Sequence, residues 1–358
     1  MSMKRLILGG VLAGLLAASA LGGYVAFLFF EPMSKPGATG EVRLFIPSGT
    51  TFYQVTQQLR KQQMLAHPRI YDWTARWLEA PRRIKAGEFV VSRDWTTFEV
   101  LGHLIRGKGI RHRVTFPEGL NFRQVAARLE AKGFGDAASY LALMKDPKLL
   151  NRTGVAEAKT LEGFLYPETY FFSRVERPRQ ILAAMISQYH RTITPEFRAR
   201  AKELGLSEYE VLTLASIVEK ETGMAEDRGK IAAVFHNRLR KRMLLGSDPT
   251  VIYGMPEFNG NLTRKHLRTP TPYNTYTRRG LPPTPICNPG KGALYSTLYP
   301  DDVSYLYFVA RGDGTSVFSK TLKKHNQNVW YYQKVRKNRI RIRKEAEARR
   351  KAKQKKDS

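Results

Sequence analysis

Ser207-Glu-Tyr-Glu-Val-Leu-Thr-Leu-Ala-Ser-Ile-Val-Glu-Lys-Glu-Thr-Gly223 reads as one bounded helix. Ser207 followed three residues later by Glu210 is a capping box, with Leu206 and Val211 placed for a hydrophobic staple. At about 100° per residue, Val211, Leu214, Ala215 and Val218 share one face, and Glu221 falls within roughly 60° of its centre. Glu219 is turned about 160° from Glu221, so the two cannot pair closely on one helix face. Gly223 is expected to end the helix in a left-handed cap. A carboxyl on the apolar face is desolvated, which raises its pKa and suits a general acid. The pattern alone leaves two readings of Glu221 open: an acid in a site, or a partly solvated helix end.

Toward the amino terminus, Leu6 to Phe30 is uncharged and follows Lys4 and Arg5. That length spans a bilayer with some tilt, and the basic flank predicts a cytoplasmic amino terminus. Ala18-Ser19-Ala20 resembles a signal-peptidase site, but the apolar run continues past it through Phe30, which favours a single-pass anchor over a cleaved signal. Everything beyond about residue 31 is then expected outside the cytoplasm.

A composition with 42% hydrophobic residues supports sizeable cores. The single cysteine, Cys287, excludes an intrachain disulfide and reads as a buried small residue. The seven histidines are scattered without an i, i+4 pair, so no metal is indicated. No glycine-rich phosphate loop appears, and no cofactor is expected. The net charge of +29 is concentrated in part after Gln333, where 13 Lys/Arg stand against 3 Asp/Glu. This tail is too poor in apolar residues for a core helix and reads as a solvated basic one. Outside the cell its counter-charges are lipid head groups and wall polymers, so nucleic acid is not the expected partner.

An internal repeat organises the first half. Pro47-Ser-Gly49-Thr-Thr-Phe52-Tyr-Gln54-Val55 with Leu59 returns as Pro117-Glu-Gly119-Leu-Asn-Phe122-Arg-Gln124-Val125 with Leu129. Each copy predicts a strand, a Pro-x-Gly turn and an amphipathic helix. Thr97-Phe98-Glu99-Val100 with Leu104 is a partial echo behind the alternating strand pattern Lys85–Val91. Strand–helix–helix–strand units of this size resemble small LysM-type carbohydrate-binding modules, although plain packing scaffolds share the shape.

Downstream, Leu161–Tyr170 predicts an aromatic-rich turn, and Asp227–Met243 a second amphipathic helix. Ser247-Asp248-Pro249 predicts a third helix start, capped by Asp248 with Pro249 at the first helical position. The long run from Thr269 to Gly290 is irregular and rich in Tyr, Asn and Pro. Amide, hydroxyl and aromatic side chains with few charges suit a sugar-lining groove. Tyr273, Asn274 and Tyr276 are the candidate sugar contacts, with Ser247 and Asp248 as further polar candidates. Tyr305–Ala310 reads as a closing strand.

Leu214-Ala-Ser-Ile-Val-Glu-Lys-Glu-Thr222, Ser247-Asp-Pro-Thr-Val-Ile-Tyr-Gly254, Tyr273-Asn-Thr-Tyr276 and Gly280-Leu-Pro-Pro283, in that order, resemble the endolytic murein transglycosylases of the MltG/YceG-like family. The resemblance covers the chain from the apolar segment to about residue 332. It implies Glu221 as the catalytic residue, peptidoglycan glycan strands as substrate, and peptidoglycan synthases of the inner membrane as partners. The expected organisation is α+β: 1–5 cytoplasmic, 6–30 transmembrane, 31–41 linker, 42–113 LysM-like, 114–200 a second strand–helix unit with connecting region, 201–333 a mainly helical lytic-transglycosylase catalytic domain, and 334–358 the basic tail. Two other classes stay open. A lysozyme-type muramidase needs a second carboxylate, for which Asp248 or Glu162 are the candidates. A non-catalytic wall-binding scaffold would rest on the LysM-like units and the tail.

Overall fold

A computed structural model of the chain describes residues 3–255 and 257–354. It divides into two compact units, Met1–Arg113 with Phe171–Glu176, and Val114–Tyr170 with Arg177–Ser358. Of the predicted cytoplasmic stretch and basic tail, residues 1–2 and 355–358 lie outside the described residues.

The first unit begins with helix α1 (Met3–Phe30), of which Leu12–Phe30 is long and apolar enough to cross a bilayer and is nowhere buried. A membrane anchor and a signal sequence both take this form. Strands β1 (Glu41–Ile46) and β2 (Gly87–Ser92) pair antiparallel with Leu44 opposite Phe89 and Val42 opposite Val91. Period-2 alternation turns these four side chains into the core. Between the strands run α2 (Phe52–Lys61), α3 (Pro68–Trp77) and α4 (Ala80–Arg83), and α5 (Thr97–Arg106) follows β2. Val55, Leu59, Tyr71, Val100 and Leu104 close the core from the helices.

The repeat has a common local structure. In the first copy β1 runs through Pro47-Ser48-Gly49, with Gly49 at φ +87°, into α2, whose cap is a Thr51/Gln54 box. In the second, β3 (His112–Thr115) runs through Pro117-Glu118-Gly119, with Gly119 at φ +78°, into α6 (Phe122–Ala131), capped by an Asn121/Gln124 box. Glycine is required at both turns because left-handed backbone penalises a Cβ. The echo at Thr97 has its own box, Thr96 with Glu99.

In the second unit, α7 (Ala137–Leu141) and α8 (Pro147–Arg152) precede β4 (Thr169–Phe172), which pairs with β3. The predicted turn at 161–170 is therefore shorter than expected: Phe116 N–H donates to Glu168 O and the Thr115 and Thr169 hydroxyls meet, drawing Thr169 and Tyr170 into a strand. Helices α9 (Pro178–Thr192), α10 (Pro195–Glu203), α11 (Glu208–Glu221), α12 (Ala225–Arg240), α13 (Asp248–Tyr253), α14 (Arg264–Arg268) and α15 (Lys291–Leu298) follow. The hairpin of β5 (Tyr307–Ala310) and β6 (Ser316–Ser319), α16 (Leu322–Val329), a π-helical turn at Trp330–Lys334 and α17 (Arg336–Gln354) complete the chain. The closing strand starts two residues later than the sequence suggests. The basic tail is helical through Gln354.

Helix α11 is the centre of this unit. Its Ser207/Glu210 capping box forms, but the single apolar face does not describe it: every residue from Val211 to Val218 is buried. The inward hydroxyls are neutralised locally, Thr213 donating to Tyr209 O and Ser216 to Thr213 O. Leu214, Ile217 and Val218 pack with Ile231 and Phe235 of α12, Ala293 of α15 and Ile286 of the irregular loop. The end of α11 also differs from expectation. Thr222 is extended (φ −147°, ψ 136°) and its hydroxyl accepts from Met224 N–H, while Gly223 has no positive φ. The threonine's own side chain supplies the turn, so no left-handed glycine is needed.

Candidate active site

The last turn of α11 delivers Glu221 to the amino-terminal end of α13. Ser247 Oγ donates to Glu221 Oε1 at 2.5 Å. Ser247, not Asp248, holds the cap position of α13, and Pro249 is the second helical residue. The predicted cap is absent because each side chain has another partner: the Ser247 hydroxyl goes to Glu221, and Asp248 Oδ1 accepts from Tyr276 Oη at 2.6 Å.

Ser247 is itself fixed from behind. Its N–H donates to Thr275 Oγ1 (3.0 Å), Thr250 Oγ1 donates to its carbonyl (2.7 Å), and the two threonine hydroxyls meet at 2.8 Å. Gly246 N–H adds a bond to Thr275 O. These bonds hold the backbone on both sides of Ser247, so the Cα from which its hydroxyl reaches Glu221 is fixed.

Burial pushes the Glu221 carboxyl up to about 7, helped by the negative charge of Asp248 and opposed by the Ser247 hydrogen bond and the Arg238 guanidinium. Arg238 is immobilised by donating to Leu245 O and Leu306 O. An acid in this range is half protonated near neutrality, where it can give and retake a proton. Glu219 is also raised by burial, but its Oε2 accepts from Gly290 N–H at 3.0 Å, which ties the loop after Pro289 to α11. The serine contact makes a test: Ser247→Ala removes a donor that favours the carboxylate, so the alkaline fall in activity should move up by about one pH unit. A pH–rate profile that stays in place would exclude this role for Ser247.

The candidate sugar contacts separate in space. Asn274 is fully buried, its amide donating to the carbonyls of His266, Leu267 and Thr269 while its Oδ1 accepts from Tyr276 N–H. With every polar atom committed to backbone, it orders the loop and is not a sugar contact. Tyr276 joins Glu221, Ser247 and Asp248. Tyr273 faces elsewhere, with its hydroxyl at 2.9 Å from Thr284 Oγ1 and its ring edge-on to Tyr253. Cys287 is buried, its thiol pushed well up by burial and its Sγ donating to Ser216 O.

Tyr273 lines a cavity of about 1000 Å³ that also contains Tyr253, Thr284 and Glu162. Glu162 is 1% exposed and accepts from Phe122 N–H at 2.9 and 3.1 Å and from Tyr253 Oη at 2.8 Å. Burial pushes it up to about 7 against these donors. The sequence names Glu162 only as a rival second carboxylate, although an acid inside Leu161–Phe164 is an unusual place to spend a charge. The structure makes it a fastener joining α6, α13 and the loop through Asn288. Arg238 and Thr284 carry no local signal in sequence, and Tyr253 enters it only as part of the Ser247–Gly254 motif. Among the described residues no group of three His, Cys, Asp or Glu is placed to hold a metal ion.

A model of the YceG-like family matches residues 44–330. An endolytic murein transglycosylase of Bacillus subtilis is 31% identical over 321 residues, covering 84% of this chain and 88% of that protein. One from Streptococcus pneumoniae is 26% identical over 348 residues, covering 88% of this chain and 63% of its own length. The crystal structure of a YceG-like protein from Listeria monocytogenes is 32% identical, with a TM-score of 0.55 over 80% of this chain and 98% of that one. The family match takes in both the repeat and the Glu221 region, and the chain therefore belongs to the YceG-like family.

Proposed function

We propose that this chain is an endolytic lytic transglycosylase of peptidoglycan, with Glu221 as its acid and base. The observation that carries the reading is the desolvated Glu221 carboxyl held by Ser247 in a chain whose relatives bear that enzyme's name. Glu221 protonates the oxygen joining N-acetylmuramic acid to N-acetylglucosamine as the C1–O bond breaks and positive charge develops at C1. The resulting carboxylate takes the proton from the muramyl 6-hydroxyl, whose oxygen closes onto C1. The proton returns to Glu221, no water is consumed, and the product ends in 1,6-anhydro-N-acetylmuramic acid. One carboxylate suffices because the nucleophile belongs to the substrate, unlike in ordinary glycosidases.

The apolar α1 behind Lys4 and Arg5 supports an inner-membrane anchor with the second unit outside the cytoplasm. An enzyme held there meets strands as they are polymerised, so it ends nascent glycans beside a synthase. The paired strands of the first unit, with three helices between them and a fourth after, support a LysM-like role in holding wall polymer.

The test is mass analysis of products from uncrosslinked glycan strands digested by the full chain in detergent. Anhydro ends, one water lighter than reducing ends, are expected. Reducing ends would instead make the enzyme a muramidase, with Asp248 as the second carboxylate. Strands left whole would leave a wall-binding scaffold.

A further inference from the structure

The cavity beside the site carries more charge than a neutral sugar can use. Arg123 at the start of α6, Lys145, Lys159 and Lys220 of α11 all line it, from four separate segments. Among the described residues none of the four is in an ion pair. Lys220 spends one donor on Gly119 O. The cavity's one lining carboxyl is Glu162, already engaged by Phe122 N–H and Tyr253 Oη. Ile252, Phe258 and Met144 supply apolar wall. The cavity and the candidate acid share elements, not lining residues: Lys220 precedes Glu221, and α13 has Ser247 at its cap and Ile252 and Tyr253 on the cavity wall.

We propose that this cavity is a subsite for the carboxylate-bearing peptide substituent of a muramyl residue, held by Arg123, Lys145, Lys159 and Lys220. The inference rests on the peptidoglycan reading, which supplies the polymer. In that polymer the N-acetyl sugars are neutral and the negative charge sits on the peptide carboxylates, so unpaired cations in a half-apolar cavity match the peptide and not the sugar. Arg123, Lys145, Lys159 and Lys220 are exposed at the cavity's edge. Charge-assisted carboxylate–cation hydrogen bonds are the strong class, and losing two of them is worth about a tenfold change in affinity. The pyrophosphate that links a growing strand to its lipid carrier is the other anion of the same chemistry. The apolar wall favours the peptide, whose alanine methyls it can cover.

The test is calorimetric binding to the full chain carrying Glu221→Gln, so that no turnover consumes the probe. The probes are a disaccharide–tetrapeptide, the same disaccharide with the peptide removed, and inorganic pyrophosphate. The peptide-bearing probe should bind at least about tenfold more tightly than the stripped one. Arg123→Gln with Lys159→Gln should erase the preference, and Arg123→Lys with Lys159→Arg should keep most of it. Equal affinity for the two disaccharides, or a preference that survives the double Gln substitution, overturns the proposal. Pyrophosphate displacing the peptide at equal concentration also overturns it and assigns the cavity to the lipid carrier. The readout is independent of catalysis: anhydro products without a peptide preference would refute the cavity alone, whereas a peptide preference without anhydro products would refute the chemistry alone.

Discussion

Glu221→Gln should lower the release of anhydromuramyl ends by about 10³-fold, the scale of losing a positioned general acid. The substitution is nearly isosteric, and the amide oxygen still accepts from Ser247 Oγ, so the geometry of α13 should persist. Unfolding cannot imitate this loss, because the variant should be the more stable protein at neutral pH. In the wild type the carboxyl moves from its usual 4.5 to about 7 on folding. The folded state therefore holds the proton more tightly. The associated stability is fully present below pH 4.5 and is lost as pH rises through about 7, a change of about 3 kcal/mol at most from this group. Gln has no proton to lose. The two proteins should melt together near pH 4.5 and diverge toward pH 8, with the variant higher. Calorimetric melting beside product quantification checks both halves, and wild-type activity in the variant would remove Glu221 from the mechanism.

Gly163→Ala should destabilise the second unit by about 2–5 kcal/mol. Gly163 sits at φ +90°, and a Cβ there would lie 2.7 Å and 2.8 Å from Pro285 Cγ and Cβ and 3.0 Å from Leu212 Cδ2. A left-handed alanine costs about 1–2 kcal/mol, and forcing a methyl into a packed core about 1–3 more. Neither neighbour can yield cheaply: Pro285 is a ring in the ordered loop, and Leu212 is buried in α11. Gly223→Ala is the matched control, since its Cβ meets nothing within 4 Å and its φ is not positive. It should stay within about 0.5 kcal/mol of wild type. Denaturant titration of both variants decides the matter, and equal midpoints would refute the packing argument.

What could be read in the sequence was local. The strand, Pro-x-Gly turn and amphipathic helix of each repeat are specified within a dozen residues, as is the Ser207/Glu210 capping box, which forms; the boxes Thr51/Gln54 and Asn121/Gln124 emerge only in the structure. Glu221 was legible as a desolvated acid because helical periodicity relates it to Val218 and Leu214. Ser247 as its donor was not, because the contact joins residues 26 apart through a loop. Asn274 misled for a physical reason: an amide among tyrosines satisfies a sugar or a backbone equally well, and only its complete burial separates the two. The cationic cavity was invisible for the same cause, since Arg123, Lys145, Lys159 and Lys220 meet only after the chain has folded.

The burial of Val211–Val218 of α11 on every side has a consequence for how the protein ages. Their amide hydrogens should exchange with solvent only when the whole unit opens, because a segment without a wet face has no cheap local route to exposure. Glu221, the proposed proton donor, lies three residues beyond that segment, at the end of the same helix, where Ser247 holds it. Loss of catalysis on heating should therefore coincide with global melting and not precede it, which makes surviving activity a direct count of intact molecules.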